Sequence, residues 1–394
     1  MKHIHPPLHM RRRSFRSARG FTLVELMVGL VLGMLTVIVI TEVTSLAEGK
    51  KRTVSSGSDA QVNGALSLYT MQRDIQMAGY GAVGNLEALG CAVKGSFKDP
   101  DAPAGTVALK FEPTLAPVVI KDGANGAPDE ITVLQSRKAN FSAPLLVTKN
   151  HAKTGNSFTV KSAFGVAVGD LMIAVPADGK WDADNWCAVF SVTDDGAATP
   201  TDTTLDWRRV PHVAGGTSKS KWNTSDVFPA GGYLEKSYLL NMGSLSFNTY
   251  TVNTGTQNLE VTARTAEAAS STEALYPQIV NLQALYGKET VTPGQVGAYD
   301  AVTPLTSADW KKVLAIRIAV VARSTQYERE SVTKSAPLWD VGANSTLTGA
   351  TDCGTSKCVP LKISHVPEWE HYRYKVYDTI VPLRNMLWNS AATP

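Results

Sequence analysis

A chain of 394 residues, 43% hydrophobic and 19% charged, has room for one large globular domain or two modest ones. Its formal net charge of +3 is unevenly placed: six basic side chains (Lys2, Arg11, Arg12, Arg13, Arg16, Arg19) and no acid lie in residues 1–20, leaving the remainder near −3. The basic excess is therefore no sign of nucleic-acid binding, and no RNA-recognition motif, zinc knuckle or basic-aromatic stripe follows it.

Residues 21–40 read FTLVELMVGLVLGMLTVIVI. At about 20 residues this run is long enough to cross a bilayer core as a helix. The basic cluster before it stays cytoplasmic by the positive-inside tendency, which puts the carboxyl-terminal bulk in the periplasm. An ordinary secretory signal carries its small-residue cleavage site after the apolar run, whereas here Gly20 precedes it. Glu25 lies inside the run, where an ionisable group costs about 2–3 kcal/mol on insertion scales and so marks a specific partner.

The segment Arg19-Gly20-Phe21-Thr22-Leu23-Val24-Glu25-Leu26 resembles the type III signal of type IV prepilins and type II secretion pseudopilins. That resemblance implies a membrane aspartyl peptidase that cuts between Gly20 and Phe21 and methylates the new amine of Phe21. It also implies an assembly role for Glu25, which physics supports independently. Pairing the Phe21 amine of one subunit with the Glu25 carboxylate of its neighbour removes two desolvation penalties and sets axial register. Gly29 and Gly33 form a G-x-x-x-G pair. It fits either close helix packing or the general frequency of glycine in membrane helices.

Beyond residue 40 the chain turns polar without a proline up to residue 79, although Gly49, Gly57 and Gly64 punctuate it. Val62, Leu66 and Tyr69 make one helical stripe, and Leu68, Met71, Ile75 and Ala78 an adjacent one. Ala78-Gly79-Tyr80-Gly81 supplies a stop. A helix over 21–78 would be about 87 Å long. The expected organisation is a leader (1–20, removed), a spine helix (21–79) and a β-rich head (80–394).

Short strand-like runs fill the head: VALKF (107–111), EITVL (130–134), PLLVT (144–148), SFTVK (157–161), LMIAV (171–175) and CAVFSV (187–192). SYLLNM (237–242), SLSFNTYTV (244–252), NLEVTAR (258–264), VLAIRIAVVAR (313–323) and YRYKVY (372–377) continue the pattern. In 313–321, Leu314, Ile316, Ile318 and Val320 share one face and Arg317 lies on the other. YPQIVNLQALY (276–286) fits a short helix or a strand. The Thr/Ser/Ala-rich stretch 251–272 reads as a surface hairpin or mobile loop. The fold class is α+β: a long N-terminal helix packed on a large, mainly antiparallel β head.

Four cysteines behind an export signal suggest disulfides, with three pairings open. The short polar loop between Cys353 and Cys358 favours joining them, which pairs Cys91 with Cys187. Zinc would need closer spacing. His151, His212, His365 and His371 are dispersed along the head, and no nucleophile elbow, HExxH or P-loop pattern occurs, so neither an enzyme nor a cofactor is expected. Asp182, Asp184 and Asn185, and the loop Asp122-Gly-Ala-Asn125, are candidate calcium-binding turns that lack an EF-hand frame.

Four later segments resemble the PilW class of minor pilin: residues 71–80 at the end of its long helix, 280–287 in its centre, 310–320 as a core strand and 379–385 as a closing strand. Residues 90–250 match nothing comparable, and the Cys353–Cys358 loop departs from the class. The resemblance implies a minor pilin that joins other minor pilins and the major pilin in an assembly-priming tip complex supporting adhesion and twitching motility. Further implied partners are the prepilin peptidase, the inner-membrane assembly platform and a tip adhesin. The implied location is the inner membrane, spanned once with the head in the periplasm, and then the pilus of a Gram-negative cell. The related J-type pseudopilin of type II secretion is the alternative; the larger head and the Arg384-Asn385 ending favour the pilus.

Overall fold

A computed structural model of the chain describes residues 20, 22–99, 101–138, 142–193, 207–213, 221–223, 227–268, 270–343 and 345–390. The helix α1 (Leu23–Met77) begins where Thr22 and Glu25 form a capping box. It crosses a division of the chain into two compact units, up to Ser55 and from Ser56 onward. The described part of the first unit is an exposed helix. Its window from Leu23 to Gly49 is long and apolar enough to cross a membrane.

In the second unit one stripe of α1 is buried and the other is not. Met71, Ile75 and Ala78 are wholly buried, whereas Val62 (51%), Leu66 (45%) and Tyr69 (62%) stay exposed. The buried stripe packs on two antiparallel sheets. One has five strands in the order Ser271–Pro277, Asn258–Arg264, Ser246–Asn253, Glu130–Gln135, Val118–Lys121. The other has four, in the order Val296–Asp300, Ile279–Glu289, Val313–Arg323, Tyr374–Pro382. Polar ties fix the helix on the five-stranded sheet: Asp74 Oδ2 accepts from Asn248 Nδ2 and Tyr250 OH, each at 2.7 Å, and Thr70 meets Tyr276 OH at 2.8 Å. Gly64 lies where the Tyr377 ring crosses the helix, leaving no space for a Cβ.

The far face of the four-stranded sheet is covered as well. Ala319 and Val321, with Val280 and Leu285, pack against Trp339, Val341, Leu361 and Ile363 around a three-stranded sheet (Leu338–Asp340, Ser356–Pro360, Thr351–Cys353). Both faces of Val313–Arg323 are therefore apolar, unlike the one-sided alternation read from the sequence; a strand buried on both sides has no solvent face to mark with polar residues. Arg317 interrupts the run, with one Nη donating to Asp340 O at 2.6 Å and to Asp378 Oδ2 at 2.9 Å.

A third system occupies much of residues 91–243. A six-stranded sheet runs Leu109–Phe111, Val93–Phe97, Cys187–Ser191, Leu171–Val175, Tyr238–Gly243, Leu145–Leu146, with a parallel pair between Val93–Phe97 and Cys187–Ser191. It too is buried on both faces, by Phe111, Leu134, Trp222 and Phe247 on one side and Phe158, Val210, Phe228 and Tyr233 on the other. The small sheet Ser157–Thr159 with Arg209–Pro211 belongs to the second side.

Several elements differ from the sequence reading. The ambiguous segment is the strand Ile279–Glu289, whose buried Asn281 and Gln283 blur its periodicity. Their amides bond Gly126 O, Lys362 O and Ala127 O, and Asp129 accepts from Gly123 N and Ala284 N. The loop 122–129 thus closes an edge of that strand. Trp310 lies in α2 (Ser307–Lys311), capped by Thr306, so its core strand starts only at Val313. Arg384 and Asn385 open α3 (Arg384–Ser390); the closing strand ends at Pro382. The stretch 251–272 is a hairpin turning at 254–257. Val93–Phe97, Val118–Lys121 and Val296–Asp300 were not anticipated.

Candidate assembly site

The start of α1 carries the sequence motif in a definite geometry. Thr22 precedes the first helical residue, and its Oγ1 accepts from Glu25 N at 3.2 Å. Glu25 Oε2 in turn accepts from Thr22 N and Thr22 Oγ1, both at 3.1 Å. Two free N–H groups at the helix start are thereby satisfied by one short motif, which also favours a negative charge at the positive end of the dipole. The reading of Glu25 as an assembly residue missed this local role, although the Thr-x-x-Glu spacing was there to be read. Gly20 is exposed. Phe21 and the leader residues 1–19 lie outside the described residues, so the proposed cleavage and methylation have no structural counterpart.

Along the apolar half of the helix, hydroxyls are turned back onto the backbone. Thr36 Oγ1 donates to Gly33 O, Thr41 to Val37 O and Thr44 to Ile40 O at 2.7–2.8 Å, which hides polar groups in an apolar setting. A Cβ on Gly29 or Gly33 would meet nothing within 4 Å, so both glycines are open on the helix surface. At its other end, α1 is capped by a side chain from α3: Asn385 Nδ2 donates to Met77 O at 3.3 Å and Ala78 O at 2.9 Å.

Disulfide bonds join Cys91 to Cys187 and Cys353 to Cys358. The first links the segment before Val93–Phe97 to the start of its parallel partner; the second closes the hairpin of the three-stranded sheet. Asp182 Oδ1 is engaged by Asp184 N at 2.9 Å and Asn185 N at 2.8 Å, an ordinary Asx turn on the surface. Asp122 and Asp129 are close enough to interact, and burial pushes the Asp129 carboxyl up to about 7. Among the described residues no three His, Cys, Asp or Glu side chains converge as a metal cluster would need. The histidines are not all dispersed: His151 and His212 meet through their ring nitrogens at 2.8 Å. They are 61 positions apart in sequence, so only the fold could reveal it.

An exposed apolar helix opened by a Thr-x-x-Glu cap, joined to a disulfide-bonded β head, is the architecture of a type IV pilin-like precursor anchored in the inner membrane. Residues 15–41 match the prokaryotic N-terminal methylation motif. Residues 249–385 match the family described as Type IV Pilus-assembly protein W, PilW, and the two matches together support a type IV pilin-like precursor. No curated protein and no solved structure matches the chain. The PilW region takes in most of the five-stranded sheet and all of the four- and three-stranded ones, but not the six-stranded system.

Proposed function

We propose that the chain is a minor pilin of a type IV pilus, acting with other minor pilins and the major pilin in the complex that primes assembly and sits near the tip. In this reading the prepilin peptidase cuts between Gly20 and Phe21 and methylates Phe21. The mature chain is then drawn from the membrane by the inner-membrane platform into the filament, supporting adhesion and twitching motility. The observation that carries the proposal is the pairing of the PilW region with the methylation motif on one chain. Glu25 supports it, being a carboxylate on an exposed apolar helix with Oε2 engaged only by its own Thr22 among the described residues. On assembly the carboxylate would exchange that local partner for the methylated amine of a neighbouring Phe21, gaining a charge-assisted bond in a low-dielectric layer.

Mass spectrometry of chain recovered from cells tests the processing step, with an N-methylated Phe21 as the expected terminus and an intact leader as the refuting one. Deleting the gene should abolish surface piliation and twitching, and a copy carrying Glu25→Ala should fail to restore them. Retained piliation with lost protein export would instead assign the chain to a type II secretion pseudopilus.

A further inference from the structure

His151 and His212 are brought together by backbone pairing. His151 exchanges both backbone hydrogen bonds with Tyr233, at 2.7 and 2.8 Å, and His212 N donates to Asn156 O at 2.8 Å. Each ring is 4% exposed or less within the packed aromatics of this region. Phe158 stacks on His151 with 3.8 Å between centroids, while Phe190 and Phe228 lie 5.1 and 5.0 Å from His212. The Nε2 atoms face one another at 2.8 Å, so in this state one ring lends its N–H to the other. His151 Nδ1 is buried with no hydrogen-bond partner among the described residues.

Space beside the pair is kept open by a glycine. A Cβ at Gly155 would lie 2.8 Å from His151 Nε2, and the Gly155 backbone is not in the left-handed region that would by itself call for glycine. Gly155 and His212 line one cavity of about 240 Å³, with Lys153 and Asn156 also on its wall. The open position at Gly155 thus lies beside His151 Nε2, while Gly155 and His212 face the same cavity.

Two imidazole nitrogens bound at about 2.0 Å and at right angles to one metal ion stand about 2.8 Å apart, which is the spacing of a cis pair in tetragonal copper(II) or nickel(II) sites. We propose that His151 and His212 form a cis two-histidine site for a divalent transition metal of the copper(II) type, beside Gly155 and with its remaining positions facing the cavity. In the metal-bound form both rings carry their hydrogen on Nδ1. Water or a small anion completes the coordination from the cavity side, and the Lys153 ammonium offsets the charge of an anion there.

The test uses the full chain in detergent with His3, His5 and His9 replaced by alanine, because leader histidines also bind copper. Titrating Cu²⁺ in a non-coordinating buffer at neutral pH should load one ion per chain, with a tetragonal electron paramagnetic resonance signal split by two equatorial nitrogens. His212→Phe keeps an aromatic in the core and should abolish that signal. Gly155→Ala leaves both ligands in place but fills the open position, and should weaken binding by on the order of tenfold or more. Should either variant fail to fold, the stoichiometry and nitrogen count of the parent chain decide alone. Absence of stoichiometric Cu²⁺ on the folded parent chain, or binding unchanged in a folded His212→Phe or Gly155→Ala chain, overturns the proposal.

Discussion

Two sheets in the head are buried on both faces, yet they are held in different ways. The four-stranded sheet pairs 11-residue strands, Ile279–Glu289 and Val313–Arg323, over nearly their whole length, and the buried stripe of α1 seals one side. The six-stranded sheet is built from strands of two to six residues and leans on Cys91–Cys187 and on packed aromatics. Only the first lies within the PilW match. A sheet with long pairing is stabilised by its own ladder and by area buried, whereas one with short pairing needs a covalent constraint on the unfolded chain.

The largest effect expected from that difference concerns the disulfides. Replacing Cys91 and Cys187 together by alanine should lower stability by about 4–5 kcal/mol, and Cys353 with Cys358 by only about 2, following the entropy of the loops they close. Urea unfolding of the detergent-solubilised chain measures both. An equal loss from the two would break the contrast.

Acid and alkali should next separate the two systems, because their buried ionisable groups shift in opposite senses. His151 and His212 sit below the ordinary 6.5 in the folded chain, so the unfolded chain binds more protons as pH falls below that value. Stability therefore declines on acidification from about 6.5 toward 3, and a histidine held at about 4 accounts for on the order of 3 kcal/mol. Asp129 is displaced the other way, from 3.8 to about 7, so the folded chain holds the extra proton and stability declines as pH rises through that window. Melting curves of His212→Phe should lose much of the acid slope, and those of Asp129→Asn the opposing one.

Gly64→Ala sharpens the picture of the α1-sealed sheet. The added methyl meets the Tyr377 ring, and overpacking of this kind costs about 1–3 kcal/mol. Thr22→Ala should touch neither sheet: it removes a helix cap worth about 1 kcal/mol, seen as faster hydrogen exchange at the first turn of α1 with the unfolding midpoint of the head unchanged.

The class of the protein was legible at its N-terminus because Gly20, Phe21 and Glu25 state it locally, within six residues. Strands such as Leu171–Val175, Asn258–Arg264 and Val313–Arg323 were legible to the residue, since an apolar or β-branched run between turn formers needs no distant partner to be recognised. Which strands lie between two layers was not, because Arg317 looks like a solvent-facing residue until Asp378 and Trp339 are placed beside it. The meeting of His151 with His212 was hidden for the same reason, as was the use of Asn385 as a cap. In each case the partner is set by tertiary pairing and not by sequence spacing.

That last contact bears on when the molecule can finish folding. The amide that satisfies the final carbonyls of α1 arrives 307 and 308 residues downstream of them, so the end of an early-synthesised helix must wait for almost the entire head to be made. Closing so wide a loop is slow compared with forming local turns. Until Asn385 docks, the last carbonyls of α1 lack that partner, so the end of the helix is completed only by the C-terminal helix α3.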